Sequence, residues 1–507
     1  MAREQIKLRF FRSWKCSITN TFRICYARYS TADTKKILSE IPGLTSLPII
    51  GPLHHFLPII GTIGPTGNFH QMVGLMHKKF GPVVKFEVFS RSTMVMLFEP
   101  EHFDKVFRAE ETNPSRPGFE TLDYYRSELR KNKFNGVYGL TTAQGAKWRD
   151  FRTKVNPALL MPKLIKLYTP LISEVVQDMV KRIDKLKADS DYIHSHFNEE
   201  ITKFSLEAVA LVGLGSRLGC LEDNLPNDHP SRQLMQSSKD ILNLAFKLEF
   251  LPHPWKYIPT LTFKKIIKVF DLQWSISEKY IEEAKKRINE RGYNVPEEEK
   301  SIIERLLAVD QTVAIMMANE MLLAGIDTVA FSIISILYHL AKNPEKQQKL
   351  REELNSTESK RSYLKACIKE ALRIWAVIPG NLRRTTKEHH VGGYIIPVGV
   401  DVVAPNQYLS NLDKHYVRAK EFIPERWIVD KTDPLYYGNT HPMVTSPFGF
   451  GIRSCIGRRL AELEIELFIA QFIQHFEVSW DGPPIKVVTT VSNNFSKPFN
   501  FRFKSLS

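Results

Sequence analysis

A chain of 507 residues with 43% hydrophobic, 11% aromatic and 25% charged side chains holds too much apolar material to stay disordered. Its 70 Lys and Arg against 55 Asp and Glu leave a net charge of +15, which admits nucleic acid, an anionic membrane surface or an acidic protein as partner. The five cysteines (Cys16, Cys25, Cys220, Cys367, Cys455) are scattered and never spaced C-x-x-C, which argues against a disulfide framework and against a zinc ribbon. The length allows about three domains, yet no clear linker divides the chain, so a single large domain stays open.

Residues 1–32 carry seven cations against one acid, Glu4, for a net +6. Leu8, Phe10, Phe11, Trp14, Ile18 and Phe22 alternate with those cations, giving a basic amphipathic stretch rich in Arg and hydroxyl side chains. That is the composition of a mitochondrial transit peptide, with a processing site around Ala27–Thr31; a basic solvated tail is the plainer alternative. No run of about 18 apolar residues occurs there, which disfavours a signal anchor. The structural domain is therefore expected over 33–507.

Pro42, Pro48, Pro52, Pro58 and Pro65 then forbid a long helix and predict an extended segment crossing the domain surface. Val83–Phe89 and Thr93–Phe98 read as a hairpin around Ser90–Ser92, and Gly393–Val400 reads as a further strand. Helical patterns cover 165–187, 271–291, 311–341, 344–354, 361–374 and 456–475. The fold class expected is mainly α with small β-sheets. Gln311–Leu340 contains no Lys or Arg and would span about 45 Å as a helix. It could cross a membrane, but Glu320 and Asp327 lie inside it, and acids are costly at mid-bilayer; a central core helix fits better.

Near the C-terminus stands Phe448-Gly449-Phe450-Gly451-Ile452-Arg453-Ser454-Cys455-Ile456-Gly457. Its glycines let the backbone turn tightly and approach a flat partner. Its cysteine precedes a helical run, where helix-terminal amides favour a thiolate, and Arg453 offers a cation to an acidic group on the same partner.

This segment resembles the heme-binding loop of the cytochromes P450 at every fixed position, and the resemblance extends from about residue 40 to the end. It implies the P450 fold as one large heme domain, and heme b with Cys455 as axial thiolate, a ligand that favours O–O cleavage. It further implies Phe448 beside the sulfur and Arg453 on a heme propionate. Glu370 and Arg373, three apart on one helical face, with Arg426 in Phe422–Trp427, match the family's buried structural Glu-Arg-Arg cluster. Ala324–Thr328 resembles the oxygen-activation segment, giving Thr328 and Asp327 the delivery of protons to dioxygen; Gly325 would keep that helix close to the heme. Val329 departs from members with a second hydroxyl there. Trp148 and Arg152 resemble the helix contacting a propionate, and Arg383, or its neighbour Arg384, matches the remaining propionate position.

No flavin or nicotinamide fingerprint is present, so electrons must come from outside. Tyr363–Glu370 matches the mitochondrial branch, whose donor is an acidic ferredoxin reduced by an NADPH-dependent reductase. Lys365 and Lys369, on one face, would dock it, with Arg458 and Arg459 extending the patch; solvated surface is the plain alternative. Thr112–Leu122 and Gly145–Pro157 resemble arthropod mitochondrial members, more closely the detoxifying than the ecdysteroid-hydroxylating ones. The resemblance thus implies a monooxygenase placing one atom of O2 into a lipophilic xenobiotic or steroid at the matrix side of the inner membrane. Steroid hydroxylation in hormone synthesis and a heme-thiolate isomerase that uses no O2 are the alternatives. Phe246, Phe250, Trp255, Tyr257 and Phe263 suggest a lip over the substrate entrance, a peripheral membrane contact or plain packing. No nucleic-acid partner is needed to explain the charge.

Overall fold

The computed structural model describes residues 36–506 except 48–49, 59–60, 65–68, 88–92, 110–111, 188–189, 194–195, 293–294 and 358–359. The transit-peptide reading of residues 1–32 and the turn Ser90–Ser92 lie outside them.

The molecule is organised by one helix, Gln311–Ala341, whose bounds match the expected apolar run. It starts sharply because the Asp310 carboxylate accepts hydrogen bonds from the amides of Thr312 (2.7 Å) and Val313 (3.2 Å). Most of it is buried, packed against the helices Phe197–Gly213, Leu261–Arg291, Ile302–Val309, Ser362–Ile374 and Arg458–His475. Long and apolar enough to cross a membrane, it is instead covered by protein. Its acids explain the choice: Glu320 Oε1 lies 2.5 Å from Arg126 Nη1, both buried, and Glu320 Oε2 accepts from the amide of Thr141 (2.9 Å) and from its hydroxyl. A carboxylate so matched is stable inside protein and would be stranded in lipid.

The main sheet has five strands in the order β1 (Gly43–Leu44), β2 (Val83–Glu87), β3 (Thr93–Leu97), β7 (Asp401–Ala404) and β4 (Asn381–Arg384). β2 and β3 pair antiparallel, as the hairpin pattern predicts. Among the described residues there are also three two-stranded ribbons: β5 (His389–Val391) with β6 (Tyr394–Ile396), β8 (Phe476–Trp480) with β11 (Phe501–Ser505), and β9 (Val487–Thr489) with β10 (Asn493–Phe495).

The helix expected over 271–291 begins ten residues earlier, at Leu261, where the Thr260 hydroxyl accepts from the amide of Phe263 (3.3 Å); two further elements differ for local reasons. The strand expected over Gly393–Val400 is cut short to Tyr394–Ile396, because Pro397 cannot donate to a ladder and Gly399 turns at φ +86° before β7 begins at Asp401. The helix expected over 165–187 is two helices, Pro162–Lys166 and Thr169–Lys187, since Pro170 has no amide proton to continue a preceding helix.

Apolar side chains form two cores, one among the helices and one around the main sheet. Phe448 packs on the first and Phe450 on the second, so the cysteine loop crosses the seam between them. Within the helical core, on Arg458–His475, Glu464 is buried, and burial alone raises its carboxyl from 4.5 to about 8. Between those two values the folded protein keeps a proton that the unfolded chain releases, so stability falls as pH rises through that window. Thermal melts should therefore show the parent losing more stability between pH 6 and 8 than Glu464→Gln; equal losses would contradict the assignment.

Candidate functional site

The loop is shaped by glycine where only glycine fits. Gly449 (φ +74°) and Gly451 (φ +68°) occupy left-handed backbone, and a Cβ on Gly449 would stand 3.3 Å from Asn381 Oδ1. The amide of Cys455 donates to the carbonyl of Phe448 (2.8 Å), folding the chain back so that Phe448 and Cys455 are neighbours. The helix Arg458–His475 begins three residues later. Of the three cysteines among the described residues, Cys220 and Cys367 are buried and Cys455 is exposed. Protein nevertheless surrounds Cys455 densely enough that burial raises its thiol pKa. The amide of Gly457 and the guanidinium groups of Arg152, Arg116 and Arg458 pull the other way. Its sulfur is thus accessible yet closely surrounded by protein, a setting termed the recess.

Cations gather around that recess. Arg453, 4% exposed, donates to the carbonyls of Ala143 (2.8 Å) and Leu140 (3.2 Å) and to Gln144 Oε1 (2.8 Å). Its guanidinium lies 4.3 Å from the centre of the Trp148 ring, and that of Arg152 lies 5.9 Å from the same ring. Trp148, Arg152 and Arg453 are thereby brought together from two distant segments. Arg152 is buried and forms no ion pair among the described residues; burial lowers its pKa, opposed by Cys455.

Arg383 and Arg384 separate cleanly. In the β4–β7 ladder Arg384 stands opposite Asp401 and grips it in a bidentate pair (2.7 and 3.0 Å). Arg383 projects to the other face of the sheet and donates to the carbonyl of Phe450 (2.9 Å) in the cysteine loop.

Behind the loop, Glu370, Arg373 and Arg426 close into one buried cluster. Glu370 accepts from Arg373 Nε (2.9 Å) and Nη2 (2.8 Å), from Arg426 Nε (2.9 Å), from Trp427 Nε1 (2.9 Å) and from the amide of Ile423 (3.1 Å).

On the core helix, Ala324 is exposed although most of the helix is buried, and Thr328, four residues on, is half-buried on the same face. Thr328 Oγ1 donates to the carbonyl of Ala324 (2.6 Å). Burial raises the Asp327 carboxyl above its ordinary value, countered by the hydroxyl of Ser238, which donates to Oδ2 at 2.5 Å, and by Lys239. Gly325 has a packing role of its own. A Cβ there would meet Val209 Cγ2 at 2.7 Å, so this glycine serves the close approach of the helix Phe197–Gly213.

The proposed docking cations are on the surface. Lys365 and Lys369 are exposed on one face of Ser362–Ile374, Lys369 lying 5.6 Å from the Trp427 ring centre. Arg458 pairs with Glu462 (2.9 Å), which offsets part of its charge, and Arg459 donates to the carbonyl of Leu160. The aromatic run divides: Trp255 and Phe263 are buried and stacked 5.3 Å apart, whereas Tyr257 is 88% exposed.

Sequence reasoning gave no role to Arg116, whose backbone amide donates to Gln144 Oε1 (2.7 Å), nor to Gln144, Arg126 or Ser238. Each acts through a partner far along the chain. Only Glu320 and Asp327, acids in an apolar run, signalled that partners must exist.

The cytochrome P450 family model matches residues 41–498. Cytochrome P450 CYP12A2 of Musca domestica is 36% identical over 506 residues, covering 94% of each chain. A probable mitochondrial cytochrome P450 12b2 of Drosophila melanogaster is 34% identical, covering 89% of this chain and 86% of its own. The mitochondrial cytochrome P450 12b1 of Drosophila acanthoptera is 33% identical, covering 88% and 85%. With an accessible thiol set among arginines, a core helix bearing an acid and a hydroxyl packed on the helix that follows it, and that match over most of its length, the chain belongs to the cytochrome P450 family of monooxygenases, which use heme b held by a cysteine thiolate.

Proposed function

We propose that this chain places one oxygen atom of O2 into a lipophilic substrate, xenobiotic or steroid, in mitochondria, with electrons from a ferredoxin. The observation that carries the reading is the environment of Cys455. It is the one exposed cysteine among the described residues, and it is set in a cationic recess where Arg152 is buried without an acid of its own. A buried guanidinium without a counter-charge is costly, so this donor set fits a ligand that brings a metal and two carboxylates. Cys455 would hold the iron of heme b, Phe448 would flank the sulfur, and Trp148, Arg152, Arg383 and Arg453 would hold the propionates. When bound, heme b supplies the electron-transfer and dioxygen chemistry of the reaction.

The chain supplies the rest. Thr328 spends its proton on the Ala324 carbonyl and so presents its oxygen lone pairs to the recess. Asp327, whose carboxyl burial raises above its ordinary value, accepts from the Ser238 hydroxyl and can exchange a proton beside it. Cys455 and Ala324 would open on the same recess, since their helices pack together.

The mitochondrial setting draws on the names of the relatives and on the basic residues 1–32. A contact with the inner membrane draws on Tyr257, Ile258 and Leu261, which are 88%, 59% and 85% exposed next to Lys256, Lys264 and Lys265. The donor reading draws on the cationic face of Lys365 and Lys369, to which Arg458 and Arg459 add. Charge reversal at Lys365 and Lys369 together is expected to raise the KM for ferredoxin several-fold with heme content unchanged; an unchanged KM removes this docking face. The whole reading is tested by oxygen consumption with ferredoxin, its reductase and NADPH over a panel of steroids and pesticides. Product carrying labelled oxygen from O2 supports it, and turnover that consumes no O2 overturns it.

A further inference from the structure

The start of the Cys455 helix borders a surface that the donor site above does not use. Arg459 is bonded to the carbonyl of Leu160, which fastens the helix end to the short helix Pro162–Lys166. Met161, Leu167 and Leu171, flanking that helix, are each 42% exposed. Lys163 and Lys166 are exposed and form no ion pair among the described residues. Lys163, Lys166 and Leu167 are spaced three and four apart and share the outer face, while Leu164 and Ile165 anchor the opposite face in the core. Single exposed leucines are ordinary. Three large apolar side chains within one short stretch, rimmed by cations and bolted to the helix that follows the thiol, make a patch with the anatomy of an interface: apolar centre, charged rim.

Its position relative to the other cations decides the partner. The helix Arg458–His475 packs on Ser362–Ile374, and on it burial raises the Glu466 carboxyl while the nearby charge of Lys365 opposes that rise. Arg459 and Glu466 are seven residues apart, about 10 Å along the helix axis. Both cationic groups therefore fall within one protein footprint of roughly 800 Å² per partner.

We propose that Met161, Leu167 and Leu171, rimmed by Lys163, Lys166 and Arg459, form the apolar contact for the same acidic electron-donor protein that Lys365 and Lys369 attract; this rests on the donor reading above. The two parts do different work. Exposed charges steer encounter and are screened beyond a Debye length of about 8–10 Å. Apolar burial holds the docked complex at short range and is not weakened by salt.

The test uses heme-loaded enzyme titrated with a mitochondrial iron–sulfur ferredoxin at low and high salt. Leu167→Ser with Leu171→Ser is expected to raise Kd by about tenfold at both salts and leave the salt slope unchanged. Lys163→Glu with Lys166→Glu is expected to raise Kd mainly at low salt and flatten that slope. Reduction by dithionite and the carbon-monoxide band stay as in the parent and report intact folding. An unchanged Kd in the leucine variant, with Lys365 and Lys369 reversal still weakening binding, overturns the apolar contact and leaves the donor site standing. No change in either overturns the donor reading itself. Loss of binding to anionic phospholipid vesicles, with ferredoxin Kd unchanged, gives the patch to a membrane and overturns the proposal.

Discussion

Glu370→Ala is expected to give protein that does not retain heme, rather than a slow enzyme. One buried carboxylate at that position satisfies two buried guanidinium groups, a half-buried indole and a backbone amide. Its removal leaves the charges of Arg373 and Arg426 facing each other with no acid between them, while both stack on the ring of Tyr416 at 5.0 and 5.6 Å. Breaking a buried pair costs about 3–5 kcal/mol, and stripping two cations of one counter-ion lies at the upper end of that range. Against a total stability of roughly 5–15 kcal/mol, that is enough to melt the region locally. The segment at risk is Ile423–Trp427, which leads toward the cysteine loop. The ratio of heme absorbance to protein absorbance measures the effect, and a normal ratio with a normal spectrum would show that the cluster does not brace the site. Removing the exposed pair of Lys414 and Glu99, 61% and 30% exposed, should by contrast shift stability by no more than about 1 kcal/mol.

The second large effect concerns the thiol. In Cys455→Ser the carbon-monoxide complex of the reduced enzyme is expected to lose the long-wavelength Soret band that reports a thiolate ligand, and oxygen-inserting activity with it. A serine hydroxyl neither ionises near neutral pH nor donates electron density as a thiolate does. No other described cysteine can replace it. Cys220 and Cys367 are buried, their thiols are pushed well above the ordinary value by desolvation, and Cys220 is further raised by the Glu207 carboxylate. Cys220→Ser and Cys367→Ser should accordingly leave the band in place. A thiolate-type band surviving in Cys455→Ser would move the ligand to another residue.

Much of the site is legible in one dimension because its residues are local to one another. Phe448, Arg453 and Cys455 lie within eight positions, and Glu370 with Arg373 share one helical face. The core helix was legible for the same reason: a long apolar run without Lys or Arg has few ways to be folded. Residues whose role depends on a partner at long separation were not legible. Arg126 meets Glu320 across 194 positions, and Ser238 meets Asp327 across 89. The contact of Gly325 with Val209 on a neighbouring helix was likewise invisible in the segment's own sequence.

The sequence by itself determined the chemistry on offer: one loop cysteine among glycines, an acid and a hydroxyl adjacent on an apolar helix, and cations spaced for one surface. Those are properties of short segments, whose geometry follows from backbone periodicity alone. Only the tertiary structure decided which of two adjacent arginines faces the cysteine loop, because strand register set Asp401 opposite Arg384 and turned Arg383 to the other side. Only it showed that Glu320 and Asp327 are matched inside protein, which keeps the apolar helix in the core. Burial and pairing are relations between distant segments, and their energies exist only once the chain has brought those segments together.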